Sequence, residues 1–368
     1  MKFLIADTYY PAFLRSVYAQ EIGLRDQPYD LQWHFLMDQC FGTADYYSDN
    51  LNKLGHEATD VVVNCRPLQE QWAKEHNLSL KYTLTRRPYR RLRLPWIEKE
   101  WLYPVLRAQI QAFRPDVIHF HDPARVDPAF LREIRADVRL ITGQIASPIP
   151  SGADFSQFDL MLSSLPHFVA RFRGQGVPSH YFQLGFEPKV LARLEESNTS
   201  YPLVFVGGLS GAHASRTQLL EQIARHHELS IWGYGLETID PASPLHRCHR
   251  GEAWALDMFS ILGNAKIALN HHIDIAEKNA NNMRLYEATG VGTLLLTDHK
   301  ENLHTIFAPG EEVVAYRSPE ECVELIDHFL SYEQEWSTIA QAGQKRTLAE
   351  HTYLHRMQEY LDIIADYL

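Results

Sequence analysis

Short apolar runs alternate with longer amphipathic segments along the whole chain, and this alternation restricts the fold more than any other feature. Short runs rich in β-branched residues are typical of buried parallel strands, and the segments between them are typical of crossover helices. In the first half, the pattern predicts strands at 2–6, 59–64, 116–120, 138–142 and 159–163. It predicts helices at 44–54, 98–113, 128–136 and 167–174. A parallel sheet flanked by helices follows for this half.

The same alternation starts again at Leu203 and runs towards the end of the chain. After the strand at Leu203, further strands are predicted at 229–233, 266–270, 293–297 and 312–316. Helices are predicted near 215–225, 252–262, 282–289, 319–330 and 333–349. The sequence therefore predicts an α/β protein with two Rossmann-like domains that face each other across a cleft.

A chain of 368 residues exceeds what one hydrophobic core usually organises, so two domains are expected. The polar, proline-containing stretch at 186–201 has the composition of a connector. We therefore expect an N-terminal domain at 1–185, a C-terminal domain at 202–350, and a last helix in 351–368 that packs back on the first domain. Ligands of open α/β sheets bind beyond the carboxyl ends of the strands, so the chemistry is expected on loops facing the cleft.

The overall charge argues against nucleic acid as a partner. The formal net charge is −11, and the acidic residues are spread over the whole sequence without an acidic tail. A phosphate backbone instead favours a basic protein surface. The four cysteines show no C-x-x-C spacing, so neither a zinc site nor a redox pair is expected, and reduced thiols fit a cytoplasmic protein. The sequence has no run of about 18 apolar residues, the length that a membrane-spanning helix needs.

The segment Arg86–Trp96 departs from this acidic average. It is strongly basic, with aromatic and leucine side chains between the arginines. Such a segment can contact an anionic membrane peripherally or hold a phosphorylated acceptor. A solvated loop leading into the next helix is the alternative.

Polar and charged residues are densest at 281–293, at the start of a predicted helix and just before a buried strand. Free backbone N–H groups and the helix dipole favour an anion there, and Arg284 can add a bidentate contact to a diphosphate. Glu287 lies one helical turn later on the same face, where its carboxylate can accept hydrogen bonds from the two ribose hydroxyls. A surface Arg–Glu pair is the alternative.

Several motifs between Lys266 and Arg356 occur in an order that resembles a known family. They are Lys-Ile-Ala-Leu-Asn, Asn-x-Arg-x-x-Glu-x-x-x-x-Gly, Leu-Leu-Leu-Thr-Asp, Phe-x-Pro-Gly-Glu-Glu-Val-Val-Ala-Tyr and His-Thr-Tyr-x-x-Arg. This stretch resembles the C-terminal domain of group 1 glycosyltransferases of the GT-B type, in particular the CgeB-like, spore-maturation glycosyltransferases. The segments at 114–122 and 205–208 resemble the same class more weakly.

The resemblance implies transfer of a sugar from a nucleoside diphosphate sugar, held by the C-terminal domain, to an acceptor on the N-terminal side. It assigns the nucleotide ribose to Glu287, the diphosphate to Arg284, and donor binding to Asn282 in the same motif. The wider pattern has a second glutamate eight residues before the first, where this chain has Asn279. Recognition of the donor sugar is therefore expected to differ here, and Asn279 is an additional candidate contact.

Two further loops are expected to contribute to the donor site. Gly207 and Gly208 follow the first strand of the second series, where glycine allows a tight turn and a close approach to phosphate. Arg216 begins the next helix and can reach the phosphates, or it is solvated. Trp232 and Tyr234 end the following strand, where the resemblance implies a loop that binds the nucleobase; core packing of Trp232 is the alternative.

In the first half, His119 and His121 stand two apart at the end of a strand, so both side chains are expected on one face. A histidine there can hydrogen-bond a sugar hydroxyl, although a histidine at a strand end is often structural. The segment around 114–122 resembles the equivalent part of this class of enzymes. His121, which lies nearer the cleft, is therefore the predicted active-site residue, with His119 as a second candidate.

No Asp-x-Asp motif is present in the sequence, so the predicted reaction uses no metal and no cofactor besides the sugar donor. His271, His272 and Asp274 are poorly spaced for a common metal ion. The predicted function is a glycosyltransferase, with retention at the anomeric carbon implied by the resemblance and a glycan, lipid-linked or protein acceptor left open. The alternatives are a catalytically inactive binding or structural protein of the same shape and a sugar-nucleotide epimerase.

Overall fold

Six parallel strands form the sheet of the N-terminal half in the order β2–β1–β5–β6–β7–β8. The computed structural model describes residues 1–85, 96–99, 101–195, 199–209 and 214–368. The strands are β1 Lys2–Asp7, β2 Glu57–Val62, β5 Val117–Phe120, β6 Leu140–Gln144, β7 Leu160–Ser163 and β8 Ser179–Tyr181. Strand β1, next to the edge strand β2, pairs Ile5 with Asp60 on one side and with His119 on the other. The carboxyl ends of β1, β5 and β6 therefore lie side by side.

Among the residues of this half that the structure describes, seven segments form α-helices. They are α1 Pro11–Gln20, α2 Tyr29–Asp38, α3 Tyr46–Lys53, α4 Arg66–Glu75, α5 Leu102–Phe113, α6 Pro128–Ile134 and α7 Pro166–Gly174. Their starts follow local chemistry: Asp127 caps α6 by accepting a hydrogen bond from Ala129 N at 2.8 Å, and Pro128 stands at the first helical position.

An antiparallel hairpin, β3 Tyr82–Thr85 and β4 Trp96–Lys99, precedes α5. The helix predicted at 98–113 therefore begins later, at Leu102, because its first residues belong to β4. The basic segment Arg86–Trp96 lies outside the described residues except for Trp96, which begins β4.

Five parallel strands form the sheet of the C-terminal half in the order β10–β9–β11–β12–β13. They are β9 Tyr201–Val206, β10 Ser230–Trp232, β11 Ala265–Asn270, β12 Leu294–Asp298 and β13 Val314–Tyr316. The helices of this half are α8 Ala214–His226, α9 Leu245–Cys248, α10 Ala255–Gly263, α11 Arg284–Gly290, α12 Pro319–Ser331 and α13 Glu333–Glu350. The predicted α/β fold with two parallel sheets is confirmed.

The last helix, α14 Tyr353–Ala365, leaves the C-terminal half and packs on the N-terminal sheet. The Tyr360 hydroxyl lies 2.8 Å from Thr142 Oγ1 of β6, and both groups are buried. The chain crosses between the halves at Phe186, whose N–H donates to His351 O at 2.8 Å. The two halves are thus joined through the first crossing and the returning helix.

Within the described residues, no helix combines the length and apolar character that crossing a bilayer requires.

Candidate functional site

A cavity of about 410 Å³ lies between the two halves and is lined by residues from both. A volume in this range suits a small-molecule ligand. The N-terminal half contributes the loops after β1, β5 and β6 together with residues 41–43. The C-terminal half contributes the start of α10 and the start of α11. The lining residues used below are Asp7, Tyr10, His121, Trp254 and Glu287.

Glu287 and Arg284 lie on one face of α11, one turn apart. Arg284 Nη1 is 2.9 Å from Glu287 Oε2, and the two side chains are only 13% and 9% exposed. This is not the surface pair that the sequence left open. Burial raises the pKa of Glu287, and the Arg284 charge offsets that rise in part. Glu287 also lines the cavity between the halves.

The guanidinium of Arg284 connects α11 with the end of β9. Its Nη2 donates a hydrogen bond to Val206 O at 3.1 Å. Its Nη1 is buried, and among the described residues no acceptor satisfies it with hydrogen-bonding geometry, despite its proximity to Glu287. The Glu287 carboxylate, 2.9 Å away, nevertheless balances the charge of this nitrogen, so Arg284 links Glu287 to the end of β9.

The loops after β9 and β10 lie against each other, backbone to backbone. Gly207 N donates to Trp232 O at 2.9 Å, and Leu209 N donates to Tyr234 O at 2.8 Å. A Cβ at Gly233 would lie 1.9 Å from Gly207 O. Gly233 is therefore required for the contact between the two loops, and the phosphate contact of Gly207 and Gly208 stays a prediction.

Arg216 lies in α8 and is buried, so the solvated alternative is wrong. Its Nη1 donates to Gly208 O at 3.1 Å and its Nη2 to His271 O at 2.7 Å. Its Nε is buried without a partner among the described residues. Burial lowers the pKa of Arg216, and the charge of Asp298 opposes that effect. Arg216 thus holds together the loops that follow β9 and β11.

The two aromatic residues predicted for a nucleobase have different environments. Trp232 is buried and packs edge-to-face on Tyr201 at 5.1 Å, so its predicted contact with a ligand is replaced by core packing. Tyr234 is 43% exposed. Its ring lies parallel to that of Trp254, with centroids 6.0 Å apart.

Sequence reasoning missed Trp254 and Tyr10, which line the cavity from opposite halves. Their rings meet edge-to-face at 5.5 Å, and Tyr10 also meets Tyr234 at 6.4 Å. The backbone joins the halves nearby, since Leu256 N donates to Gln39 O at 3.1 Å. Gly251, just before the helix predicted near 252–262, is the local signal in the sequence that indicates a loop here.

His121 lines the cavity directly after β5, as predicted. Its Nε2 is buried without a partner among the described residues. Burial lowers the pKa of His121, and Asp7 opposes that effect, so the ring is neutral at pH 7. Asp7, also in the cavity, accepts hydrogen bonds from Thr8 N at 2.7 Å and Thr43 Oγ1 at 3.1 Å.

His119 is placed differently. It is fully buried, its Nδ1 lies 2.8 Å from Thr142 Oγ1, and its ring stacks on Tyr47 at 5.5 Å. Burial lowers the pKa of His119 as well. Both histidines are on one face of β5, as the strand period requires, but His119 lies one step deeper beneath His121 and belongs to the core.

Asn282 binds the end of β11 through side chains. Its Nδ2 donates to Asn270 Oδ1 at 2.7 Å, and Asn270 Nδ2 donates to Thr297 Oγ1 at 2.9 Å. Asn279 lies in the turn before this point, where its N–H donates to Ala276 O at 2.8 Å. The asparagines thus fix the turn that leads into α11.

The adjacent histidines after β11 point to separate partners. His271 Nδ1 lies 2.9 Å from the Tyr316 hydroxyl, whereas His272 Nδ1 lies 2.7 Å from Asp298 Oδ1. In the part of the chain that the structure describes, no three His, Cys, Asp or Glu side chains are grouped to hold a metal ion.

The comparison with family models gives one match. Residues 216–362 match the family model described as "Glycosyl transferase-like". The search of curated proteins gave no match. The family match thus covers most of the C-terminal half, including α11.

Solved glycosyltransferases are similar to this chain along its whole length. A glycosyltransferase from Rickettsia africae is 11% identical, with a TM-score of 0.56 over 100% of this chain and 98% of that chain. HepE from Anabaena, solved with UDP and glucose, is 12% identical, with a TM-score of 0.59 over 100% of both chains. An alpha-glucosyltransferase solved with UDP-glucose and DNA is 10% identical, with a TM-score of 0.59 over 99% of both chains. The expected GT-B fold is confirmed, and the predicted class of enzyme, a glycosyltransferase, is that of the matching family model and of these structures.

Proposed function

We propose that this chain transfers a glycosyl group from a nucleoside diphosphate sugar to a hydroxyl acceptor in the cleft between its halves. The observation that carries the proposal is that Glu287 of one half and His121 of the other line the same cavity. A donor held by α11 would present its sugar to the opposite half. Within the glycosyltransferases, the Asn-x-Arg-x-x-Glu motif at 282–287 supports assignment to the CgeB-like group.

On the donor side, Glu287 accepts hydrogen bonds from the ribose hydroxyls. Arg284 and Arg216 place two largely buried guanidinium groups beside the loop after β9. Preorganised donors of this kind stabilise the charge that develops on a leaving diphosphate. We propose that these groups meet that charge without a resident metal ion.

On the sugar side, His121 donates or accepts one hydrogen bond through its open Nε2. A neutral ring can do either, according to its tautomer, without placing a second charge beside Asp7. His119 supports this ring from beneath, since the two ring centroids are 4.9 Å apart. We also propose that the reaction retains the configuration at the anomeric carbon. Comparison of the anomeric configuration of the product with that of the donor tests this.

The nucleobase is proposed to contact the exposed ring of Tyr234 or its neighbour Trp254. Uracil is the first base to test, because HepE and the alpha-glucosyltransferase were solved with UDP or UDP-glucose. Aromatic rings at the edge of a cleft provide stacking area for any base, so the screen must include the others.

A thermal-shift screen with UDP, GDP, ADP, CMP and dTDP tests nucleotide binding. A ligand at about 100 times its dissociation constant adds roughly 2.7 kcal/mol of stability, which is easily detected. Glu301→Gln, an exposed carboxylate outside the cleft, serves as the matched control for Glu287→Gln. The proposal requires one nucleotide to stabilise the wild type and the control by clearly more than it stabilises the Glu287 variant.

Turnover is tested with the sugar conjugates of the base that binds, by following release of the nucleoside diphosphate. If no nucleoside diphosphate is released with any donor and acceptor tried, a purely binding role replaces this proposal. If none of the five nucleotides raises the melting temperature, the proposed donor site is rejected.

A further inference from the structure

A second cavity, of about 290 Å³, lies wholly in the N-terminal half and adjoins the cleft. It lies beyond the carboxyl ends of β1, β2 and β5 and is bounded by the start of α5. Thr8, Tyr9 and Tyr10 line both this cavity and the cleft. Asp122, the residue after His121, lies at the same junction.

Most of the lining of this second cavity is apolar or aromatic. Buried side chains of Val63, Leu106 and Phe120 contribute to its wall. The remaining apolar and aromatic lining residues are Ala6, Tyr9, Tyr10, Pro11, Leu102, Tyr103 and Val126. Apolar walls of this kind favour an apolar ligand group, because removing such a group from water costs little free energy.

Two of the polar groups in the wall already have partners within the protein. The side-chain amide of Asn64 is hydrogen-bonded to the backbone of Tyr9. Its Oδ1 accepts from Tyr9 N at 2.9 Å, and its Nδ2 donates to Tyr9 O at 2.7 Å. The Tyr103 hydroxyl accepts from Asp127 N at 2.8 Å. A sugar ring, with its several hydroxyls, would therefore find few partners in this wall.

The charged groups lie towards the junction with the cleft. Thr8 Oγ1 donates to Asp122 Oδ2 at 3.1 Å, and Arg125 Nε lies 3.4 Å from the same carboxylate oxygen. Arg125 is 79% exposed, whereas Asp122 is 28% exposed. The apolar part of the cavity is therefore bordered by polar groups on the side where His121 stands.

We propose that this cavity binds an aromatic or compact alicyclic portion of the acceptor, whose hydroxyl then points into the cleft near His121. The inference rests on the proposed glycosyl transfer and specifies its acceptor class. An apolar cavity of about 150 Å³ accommodates benzene, so the larger volume here suits a bicyclic ring. The acceptor oxygen forms a bond to the anomeric carbon as the bond from that carbon to phosphate oxygen breaks. The nucleoside diphosphate leaves with the electron pair, and the acceptor proton passes to its phosphate oxygen.

The probe for this site is 4-methylumbelliferone, a fluorescent bicyclic aromatic alcohol, with maltose as the sugar comparison. Leu102→Trp fills the cavity from the first turn of α5, where Leu102 is half-buried. Gln111→Trp adds the same side chain to the exposed part of that helix and is the matched control. Leu102→Ala enlarges the cavity and is the second variant.

We expect wild type and Gln111→Trp to bind 4-methylumbelliferone equally, and Leu102→Trp to bind it at least tenfold more weakly. Leu102→Ala should still bind the probe, and all variants should bind the nucleotide with unchanged affinity. Nucleotide binding without probe binding, or probe binding indifferent to Leu102→Trp, would overturn the acceptor inference alone. Tighter binding of maltose than of the probe would indicate a glycan acceptor and would also overturn it. Loss of nucleotide binding in the wild type would instead reject the proposed function.

Discussion

Arg284 and Glu287 form a buried ion pair at the start of α11, with Nη1 of the arginine 2.9 Å from Oε2 of the glutamate. A pair this far from solvent costs desolvation energy that its mutual attraction offsets only with good geometry. Here one arginine nitrogen is hydrogen-bonded to Val206 O while the other has no acceptor of proper geometry among the described residues. A buried pair of this kind is weak evidence for stability, and Glu287 lies at the cavity between the halves.

Replacing Arg284 with alanine should weaken binding of the donor. The lost charge-assisted contact is worth roughly 1.5–3 kcal/mol, equivalent to about a tenfold to hundredfold rise in the dissociation constant. Arg284→Lys should restore only part of it, since lysine cannot contact Val206 O and a phosphate in the same geometry. Calorimetric titration with the nucleoside diphosphate measures this, with Arg346→Ala at a surface pair as control. Unchanged nucleotide affinity in Arg284→Ala would contradict the assignment.

Glu287→Gln should reduce nucleoside diphosphate affinity while leaving affinity for inorganic pyrophosphate nearly constant. The amide keeps one acceptor oxygen but loses the charge that two ribose hydroxyls would share. We expect about a tenfold loss for the nucleotide, or roughly 1.4 kcal/mol. Competition between pyrophosphate and nucleotide, measured on the same variant, separates a ribose contact from a phosphate contact. Equal losses for both ligands would place Glu287 elsewhere than at the ribose.

The alternation of apolar and amphipathic segments was sufficient to predict both sheets, because buried parallel strands carry a strong signal. It was not sufficient for β8, whose residues Ser179–Tyr181 form no apolar run at the edge of the sheet. Helix α1 was missed because it buries only Phe13 and Val17 and so has a weak apolar stripe. The sequence of α2 hides its periodicity, since it buries Gln32 and leaves aromatic residues half-exposed.

In the candidate site, local spacing predicted the contacts between residues of one helix or strand. It did not predict the contacts between residues of the two halves. The pairing of Arg284 with Glu287 follows from helical spacing, and the shared face of His119 and His121 follows from the strand period. The contact between Tyr10 and Trp254 depends on how the halves meet, so no local pattern encodes it. Whether Trp232 faced the core or a ligand depended on Tyr201, its neighbour from β9.

His121→Ala should lower turnover without changing nucleotide affinity, because His121 lies on the half opposite α11. Loss of one hydrogen bond to the sugar predicts about a tenfold to hundredfold lower kcat. His304→Ala, an exposed histidine, is the control. Burial lowers the pKa of His121 below its ordinary value near 6.5. As the pH falls, the ring therefore becomes protonated only below pH 6.5. The acid limb of the kcat profile should accordingly lie below pH 6.5 and be absent in the alanine variant.

Gly235→Ala should separate the loops after β9 and β10. Gly235 has a φ of 94°, and a Cβ there would lie 1.7 Å from Leu209 O. Both the backbone strain and the clash act together, so a loss of roughly 2 kcal/mol or more in unfolding free energy is expected. Gly174→Ala, where a Cβ meets nothing within 4 Å, should be near neutral in the same denaturant titration. A Gly235 variant as stable as the Gly174 variant would show that the loops can move apart freely.

Asp60 is a buried carboxyl on β2 whose replacement should stabilise the protein at neutral pH. It is 2% exposed, and its oxygens have no partner of hydrogen-bonding geometry among the described residues. Burial raises the pKa of Asp60 well above its usual value of 3.8, and the nearby Ser48 hydroxyl offsets this only in part.

Because the folded state binds this proton more tightly than the unfolded chain, the stability associated with Asp60 is greatest below about pH 4 and falls as the pH rises towards the folded pKa. Asp60→Asn removes this dependence. We expect the variant to match the wild type near pH 4 and to exceed it by about 1 to 3 kcal/mol at pH 8, in urea titrations at each pH. Asp362→Asn, at an exposed position of α14, should show no such divergence. Parallel stability curves for Asp60→Asn and the wild type would mean that this carboxyl ionises in the folded protein as readily as it does in the unfolded chain.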